Sequence, residues 1–423
     1  MISKGAFYTV LNGISLFVKA ISSLIINKVI VVLLGSPALL FVGNLKSVFT
    51  ILQQISGAGV YEGAVKYLSG EYKNRQTFIL QACLSLMLLG FFISTALYFI
   101  LYDQILNLLQ LGENDRNLIP WLTGGIVLSL LCFVFHTLIQ SFFHGLKTYK
   151  IIVQSTLISA LLTLGVSTAL IYYTNKLGLV LSVFVPSVIM LLTYCFHIRK
   201  SWHFGQMLFG KPFRLFVFKP VLSFTLMSAV AAMVFPSVLI VIRSLLVEHS
   251  GVEIASYWEG YNRLSLFISG LAISSISLYY LPKLVEANTG QEMLKVVFWG
   301  VKFLFVVAFP AMLLIFWFGN DIIPLLYASS FLETIYLLKW ELLGTFLKLL
   351  SFTVSFIMIA KKLTTVFVLS ELISGLVFFG LSVFLVELYG VVGASMAFAG
   401  TYFLYLLWVV IYFGKRFRFF EKE

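Results

Sequence analysis

Charge is scarce in this chain of 423 residues, and its placement decides what chemistry the chain can support. Lys19, Lys28, Lys46, Arg263, Lys302, Lys339 and Lys348, with Glu62, Glu259, Glu341 and Glu371, interrupt long apolar stretches. An ionised side chain at the centre of a lipid-embedded helix costs about 2.5–3.5 kcal/mol, so each needs a cavity, a partner or a route to the surface. Glu62 and Lys66 stand one helical turn apart and read as a structural pair. Lys28, Lys302 and Lys339 lie toward the ends of their stretches, where a long stem can carry the ammonium to the interface. Lys19 and Lys348 sit near the middle of theirs and are expected to be functional.

Helical spacing groups these residues. Asn12, Ser15, Lys19 and Ser22 share one face of the first apolar helix, and Lys46, Gln53 and Gly57 one face of the second. Glu259 and Arg263 stand one turn apart in the eighth, and Glu341, Thr345 and Lys348 share a face of the tenth. Lys28, nine residues after Lys19, points to the opposite side of its helix. Together the stripes predict a hydrophilic cleft of positive potential that receives an anion, with phosphate the foremost candidate. The expected ligands are Lys19, Lys46, Arg263 and Lys348, with Lys28 and Lys339 beside them. Glu259, Glu341 and Glu371 are candidate proton carriers, pairing with a nearby Lys or Arg being the alternative role for each. Gly57 and Gly59, in the run Ser56-Gly57-Ala58-Gly59, and Pro236 are candidate hinges.

Other chemistry is not signalled. Cys83, Cys132 and Cys195 lie in apolar runs without metal-ligand spacing. His136, Gln140 and His144 share a face but lack a matching acid, and read as a polar helix contact. No Gly-x-x-x-x-Gly-Lys-Ser/Thr occurs, so the energy source is expected to be an ion gradient rather than ATP. No catalytic residue, metal or cofactor is expected.

The elements that must position these residues follow from composition. Hydrophobic residues make up 60% and charged residues 11%, against about 45–50% and about 25% in soluble domains. Mean hydropathy is +1.01. Only lipid can solvate such a surface, which excludes a soluble enzyme, a nucleic-acid module and a disulfide scaffold. Apolar stretches divided by Gly, Pro or charge clusters predict an all-α membrane protein of about 12 spans: 6–33, 38–67, 77–101, 118–143, 149–173, 178–198, 219–245, 253–281, 293–318, 332–360, 363–386 and 391–413. They divide into six-helix lobes, 1–199 and 219–423, joined by a basic linker at 200–218. Lys and Arg concentrate on one set of loops, leaving Arg116, Lys176 and Arg243 on the other side, so both termini are expected in the cytoplasm. That bias accounts for most of the net charge of +12 without nucleic acid. Short likenesses between the second and eighth spans, Gly43-Asn44-Leu45-Lys46 and Gly260-Tyr261-Asn262-Arg263, point to a duplicated transporter.

Two segments carry a more specific likeness. Ser56-Gly-Ala-Gly-Val-Tyr-Glu-Gly-Ala-Val-Lys-Tyr67, and Tyr257-Trp-Glu-Gly-Tyr261 running on to Leu278-Tyr-Tyr-Leu-Pro-Lys283, resemble segments of the Wzx-type flippases. These form the polysaccharide branch of the multidrug/oligosaccharidyl-lipid/polysaccharide (MOP) superfamily and include the flippases of enterobacterial common antigen and O-antigen. The resemblance implies a V-shaped, alternating-access pair of bundles in the bacterial inner membrane. It implies that undecaprenyl-pyrophosphate-linked oligosaccharide is carried from the cytoplasmic to the periplasmic leaflet by a monomer among membrane lipids. It leaves room for a polysaccharide polymerase and a chain-length regulator as partners. A cation-coupled multidrug exporter of the same superfamily is the alternative; cationic cargo would favour carboxylates in the cleft, whereas the first helix carries Lys19. A membrane-embedded glycosyltransferase or polymerase is a weaker one, because the first outer loop is only Gly35-Ser36-Pro37 and no outer loop could form a catalytic domain.

Overall fold

A computed structural model of the chain describes residues 4–69, 76–111, 113–199, 204, 208, 219–361 and 363–417. Among these, the regular elements are helical: α1 (Lys4–Leu34), α2 (Pro37–Gln53), α3 (Gly59–Ser69), α4 (Gln76–Ile100), α5 (Tyr102–Leu108), α6 (Ile119–Gly145), α7 (Tyr149–Thr174), α8 (Lys176–Ile198), α9 (Lys219–Glu286), α10 (Gly290–Phe303), α11 (Phe309–Trp317), α12 (Gly319–Leu326), α13 (Leu337–Ala360), α14 (Thr364–Tyr389) and α15 (Val391–Phe417). Eleven stretches of described helix are long and apolar enough to cross a membrane. One of them, Ala232–Ser274, has 43 residues, about twice what a bilayer core accepts. It is broken at Gly251 (φ 82°, ψ 164°), which divides α9 into two spans. The backbone leaves helical geometry there rather than at Pro236, the expected hinge. Apart from Phe204 and Leu208, the expected 200–218 linker lies outside the described residues.

By backbone contacts the chain divides into two units, Met1–Leu34 with Phe41–Ser237, and Gly35–Leu40 with Val238–Glu423. In the first, α7 packs on α1 and α8, and α6 on α8 and α3. In the second, α15 packs on α13 and α14. Their outer surfaces invert the soluble pattern: Phe92, Val306 and Leu376 are exposed while serines and threonines are buried. Many of those hydroxyls bond back to their own helix, as Ser15 to the Asn12 carbonyl (2.8 Å), Ser22 to Val18 (2.8 Å) and Thr353 to Leu349 (2.9 Å). A hydroxyl satisfied this way costs little in lipid.

The two units repeat one backbone design. In each, a membrane-length helical run (α4, and α10 through the π turn to α11) is followed by a short helix after a non-helical residue, Leu101 (φ −95°, ψ 14°) and Phe318 (φ −95°, ψ 20°). A 3₁₀ turn follows, Glu113–Leu118 and Ser329–Thr334. Helices α7 and α8 of the first unit, and α14 and α15 of the second, meet at a residue of positive φ, Asn175 (φ 50°) and Gly390 (φ 60°). Three residues beyond these stand Gly178 and Gly393, where a Cβ would overlap the Leu170 and Leu385 carbonyls respectively. Both corners are therefore closed by backbone approach that only glycine permits.

Local breaks have identifiable causes. Gly35 (φ 83°) ends α1, and Pro37 opens α2 with φ already set and no amide to satisfy. Between α2 and α3 the ladder widens into a π turn, Gln54–Ala58, and Gly57 takes φ 116°. The turn is seated on α4, where Gly90 admits the Ile55 carbonyl and Ser56 Oγ meets Ser94 Oγ at 2.6 Å. A second π turn, Leu304–Ala308, precedes Pro310, whose ring cannot join the regular ladder.

Candidate functional site

The expected anion ligands fall in both units, Lys19, Lys28 and Lys46 in the first and Arg263, Lys339 and Lys348 in the second. The two sets sit in different company. On α1, Lys19 is exposed although it stands mid-span, and it makes no ion pair among the described residues. Its ammonium lies within electrostatic reach of His136 on α6, whose Nδ1 is buried with no hydrogen-bond partner among the described residues. Lys46 on α2 is exposed and Lys28 half-buried. Gln53 donates to Ser187 Oγ at 3.5 Å, and the π turn beyond it displaces Gly57 from the register that an unbroken helix would give. His144 makes edge contacts with Tyr61 and Tyr149 (ring centroids 5.7 and 6.4 Å apart) rather than a contact with His136.

The second unit surrounds its cations with carboxylates. Glu259, 2% exposed, accepts from Arg263 Nε and Arg243 Nε, each at 2.7 Å. Arg263 also donates Nη2–H to the Leu39 carbonyl at 2.8 Å, tying the start of α2 to α9. Glu259 and Arg263 thus pair as their spacing suggested. Arg243, counted by the Lys and Arg bias among the charges of the outer side, is buried, 3% exposed. Its apolar neighbours hid it, because the partner lies beyond the Gly251 break and no helical spacing connects the two. With one carboxylate between two guanidiniums, the group retains one net positive charge, held in donor-only side chains.

Around it the helix carbonyls are anchored by phenols. Tyr327 donates to the Gly260 carbonyl and Tyr261 to the Phe331 carbonyl, each at 2.7 Å, while the rings of Tyr327 and Phe331 stack at 4.8 Å.

A further cluster joins α9, α13, α14 and α15. Glu341, 1% exposed, accepts from Ser265 Oγ on one oxygen and Ser395 Oγ on the other, both at 2.8 Å. Lys348, two turns further along α13, is half-buried with its ammonium 5.4 Å from the Tyr402 ring centroid. It lies within electrostatic reach of Glu341 and Glu371. Glu371 accepts from Tyr405 Oη at 3.4 Å. Lys302 and Lys339 are exposed, the latter over the Trp340 ring at 5.7 Å. Among the described residues no group of acids, histidines and cysteines could hold a metal ion.

This helical order, duplicated with its breaks, is the fold of the MOP-superfamily transporters. The chain superposes on an inward-facing multidrug-resistance MATE transporter of that superfamily with a TM-score of 0.74, at 14% identity over 96% of each chain. It superposes on the lipid II flippase MurJ with a TM-score of 0.73, at 17% identity over 95% of this chain and 87% of that one. In sequence it is similar along nearly its whole length to the lipid III flippases of Escherichia coli K12 and Shigella flexneri, 24% identical over 421 residues, 96% of each chain. No family model matches. The chain is thus a polytopic membrane protein of transporter fold, and it resembles flippases of lipid-linked substrates.

Proposed function

We propose that this protein flips an undecaprenyl-pyrophosphate-linked oligosaccharide of the common-antigen or O-antigen kind from the cytoplasmic to the periplasmic leaflet of a bacterial inner membrane. Both termini are then cytoplasmic, and the driving force is an ion gradient. One observation carries the reading: Lys19, placed mid-span in an apolar helix, remains exposed and makes no ion pair among the described residues. A cation kept unneutralised at that depth needs an anionic visitor to justify its cost. The near-full-length likeness to lipid III flippases supports an anionic lipid-linked cargo. Lys46 belongs to the same expected set, and Arg263 and Lys348 differ from Lys19 in having carboxylates that face them. Several spaced cations suit a cargo that must be released as well as bound.

The multidrug-exporter reading draws on the MATE likeness and on Glu341 and Glu371. It leaves Lys19 without a role.

A binding experiment separates the two. Purified full-length protein in nanodiscs is titrated with a polyprenyl pyrophosphate and with a lipophilic cation, the displaced ligand being a fluorescent polyprenyl pyrophosphate. Displacement by the pyrophosphate, weakened at least tenfold in Lys19→Ala, supports the flippase. Displacement by the cation alone contradicts it.

A further inference from the structure

Sequence reasoning left Glu259, Glu341 and Glu371 as equal candidates for the coupling ion, and their surroundings distinguish them. We propose that Glu341 is the carboxyl that takes up and releases the coupling proton and that Glu259 is a fixed structural charge, an assignment that rests on the transport reading above.

Guanidinium groups only donate, so a protonated Glu259 would take from Arg243 and Arg263 the buried anion that both of them bond. The two side chains that hold Glu259 are both donors and offer no acceptor for a new O–H. Glu341 meets hydroxyls instead. A serine hydroxyl donates to a carboxylate and equally accepts from a carboxylic acid, so the same two partners serve both protonation states. Ser265 has an alternative acceptor for its own hydrogen, the Glu341 main-chain carbonyl at 3.5 Å. When the carboxyl becomes the donor, that hydroxyl can turn without leaving the site.

Two further observations point to the same carboxyl. The Trp258 indole N–H is buried with no acceptor at hydrogen-bond distance among the described residues, and Glu341 is within its electrostatic reach. Trp258 and Ser265, seven residues apart on α9, lie on one helical face. This donor is available to whichever oxygen stays unprotonated. The charged group that acts on Glu341 is Lys348 on its own helix, and Lys348 in turn lies within electrostatic reach of Glu371 on α14, beside Tyr402 and Tyr405 on α15. With Glu341, Glu371 and Lys348 ionised, the cluster carries one net negative charge, which a proton on Glu341 cancels. Lys348 has Glu371 within electrostatic reach in both states. The uptake step is therefore balanced: one proton from the more acidic side forms the carboxyl O–H, and its loss to the other side restores the carboxylate.

The test uses the full chain in lipid nanodiscs, followed by infrared difference spectroscopy as pH is varied. Wild type is expected to show a titrating carboxylic C=O band that Glu341→Gln removes and Glu371→Gln retains. In Ser265→Ala/Ser395→Ala, which removes no titrating group, the band is expected to change frequency because its hydrogen bonds are lost; this variant decides the matter if Glu341→Gln does not yield monodisperse protein. A band that is unchanged in both the glutamine variant and the serine variant, or one that disappears in Glu371→Gln instead, overturns the proposal. The second readout is transport of a lipid-linked oligosaccharide in proteoliposomes. The ratio of rates with and without a pH gradient should fall to about one in Glu341→Gln, and a ratio equal to wild type overturns the coupling role. Absence of any lipid transport by wild type counts against the transport reading, and the infrared result then still decides the protonation site.

Discussion

Replacing Glu259 by Gln should destabilise the protein more than replacing either arginine it holds. The carboxylate accepts two charged hydrogen bonds of 2.7 Å, and the three side chains are 4%, 9% and 2% exposed. At a charge separation of about 4 Å and an effective dielectric of about 20, each attraction amounts to about 4 kcal/mol before desolvation is counted. Removing one partner of a buried pair costs about 3–5 kcal/mol, because the charge left behind has no compensation. Here two guanidiniums are left facing each other, so the upper end applies, about 5 kcal/mol, or more than a thousandfold in the folding equilibrium. Arg243→Gln and Arg263→Gln each leave one neutral ion pair intact; Arg243→Gln loses its charged hydrogen bond to Glu259, about 1.5–3 kcal/mol, and Arg263→Gln loses the bond to the Leu39 carbonyl as well and falls nearer to Glu259→Gln. Thermal and denaturant unfolding of the purified full chain in nanodiscs, read by tryptophan fluorescence, gives the ordering. A Glu259→Gln protein as stable as wild type, or more stable than both arginine variants, would refute the argument that the group is a buried, mutually dependent triad.

Gly57→Ala forces a side chain onto φ 116° and within 2.8 Å of Met87 Cγ, and should cost about 1–3 kcal/mol in the same unfolding assay; a neutral result would show that the break between α2 and α3 is not a fixed feature. Lys19→Ala should abolish transport while leaving expression and membrane insertion unchanged, and Lys302→Ala, whose long stem can carry the ammonium to the interface, should be mild; equal rates for the two would remove the distinction between them. Reporter fusions at Gly112 and Gly210 should face opposite sides of the membrane, and reports from one side would overturn the orientation derived from the Lys and Arg bias.

Most of the fold was legible because lipid imposes one rule, that backbone groups be satisfied within a helix, and composition alone reveals lipid as the solvent. Gly35-Ser36-Pro37 marked the first corner correctly, since a left-handed glycine and a proline leave no alternative there. The Ser56-Gly57-Ala58-Gly59 run marked the break in the second span, though not that it is a π turn. Arg243 illustrates the limit. Its role depends on Glu259, a residue beyond a chain reversal, and helical periodicity cannot see across Gly251. Lys348 illustrates another: the spacing with Glu341 on its own helix was visible, but Glu371 and the Tyr402 ring come from other helices. Duplication was faint in the residues and plain in the backbone, because what the units share is corner geometry, which different residues achieve, asparagine at 175 and glycine at 390.

The central claim is transport of a pyrophosphate-linked lipid. Its most direct measurement reconstitutes the full chain in proteoliposomes loaded with a fluorescent undecaprenyl-pyrophosphate oligosaccharide, and follows how fast the inner-leaflet pool becomes accessible to an external, membrane-impermeant quencher. The account predicts accelerated exposure by wild type, driven further by a pH gradient, and exposure at the protein-free rate by Lys19→Ala. A wild-type rate equal to that of protein-free vesicles, or full transport by Lys19→Ala, would contradict it.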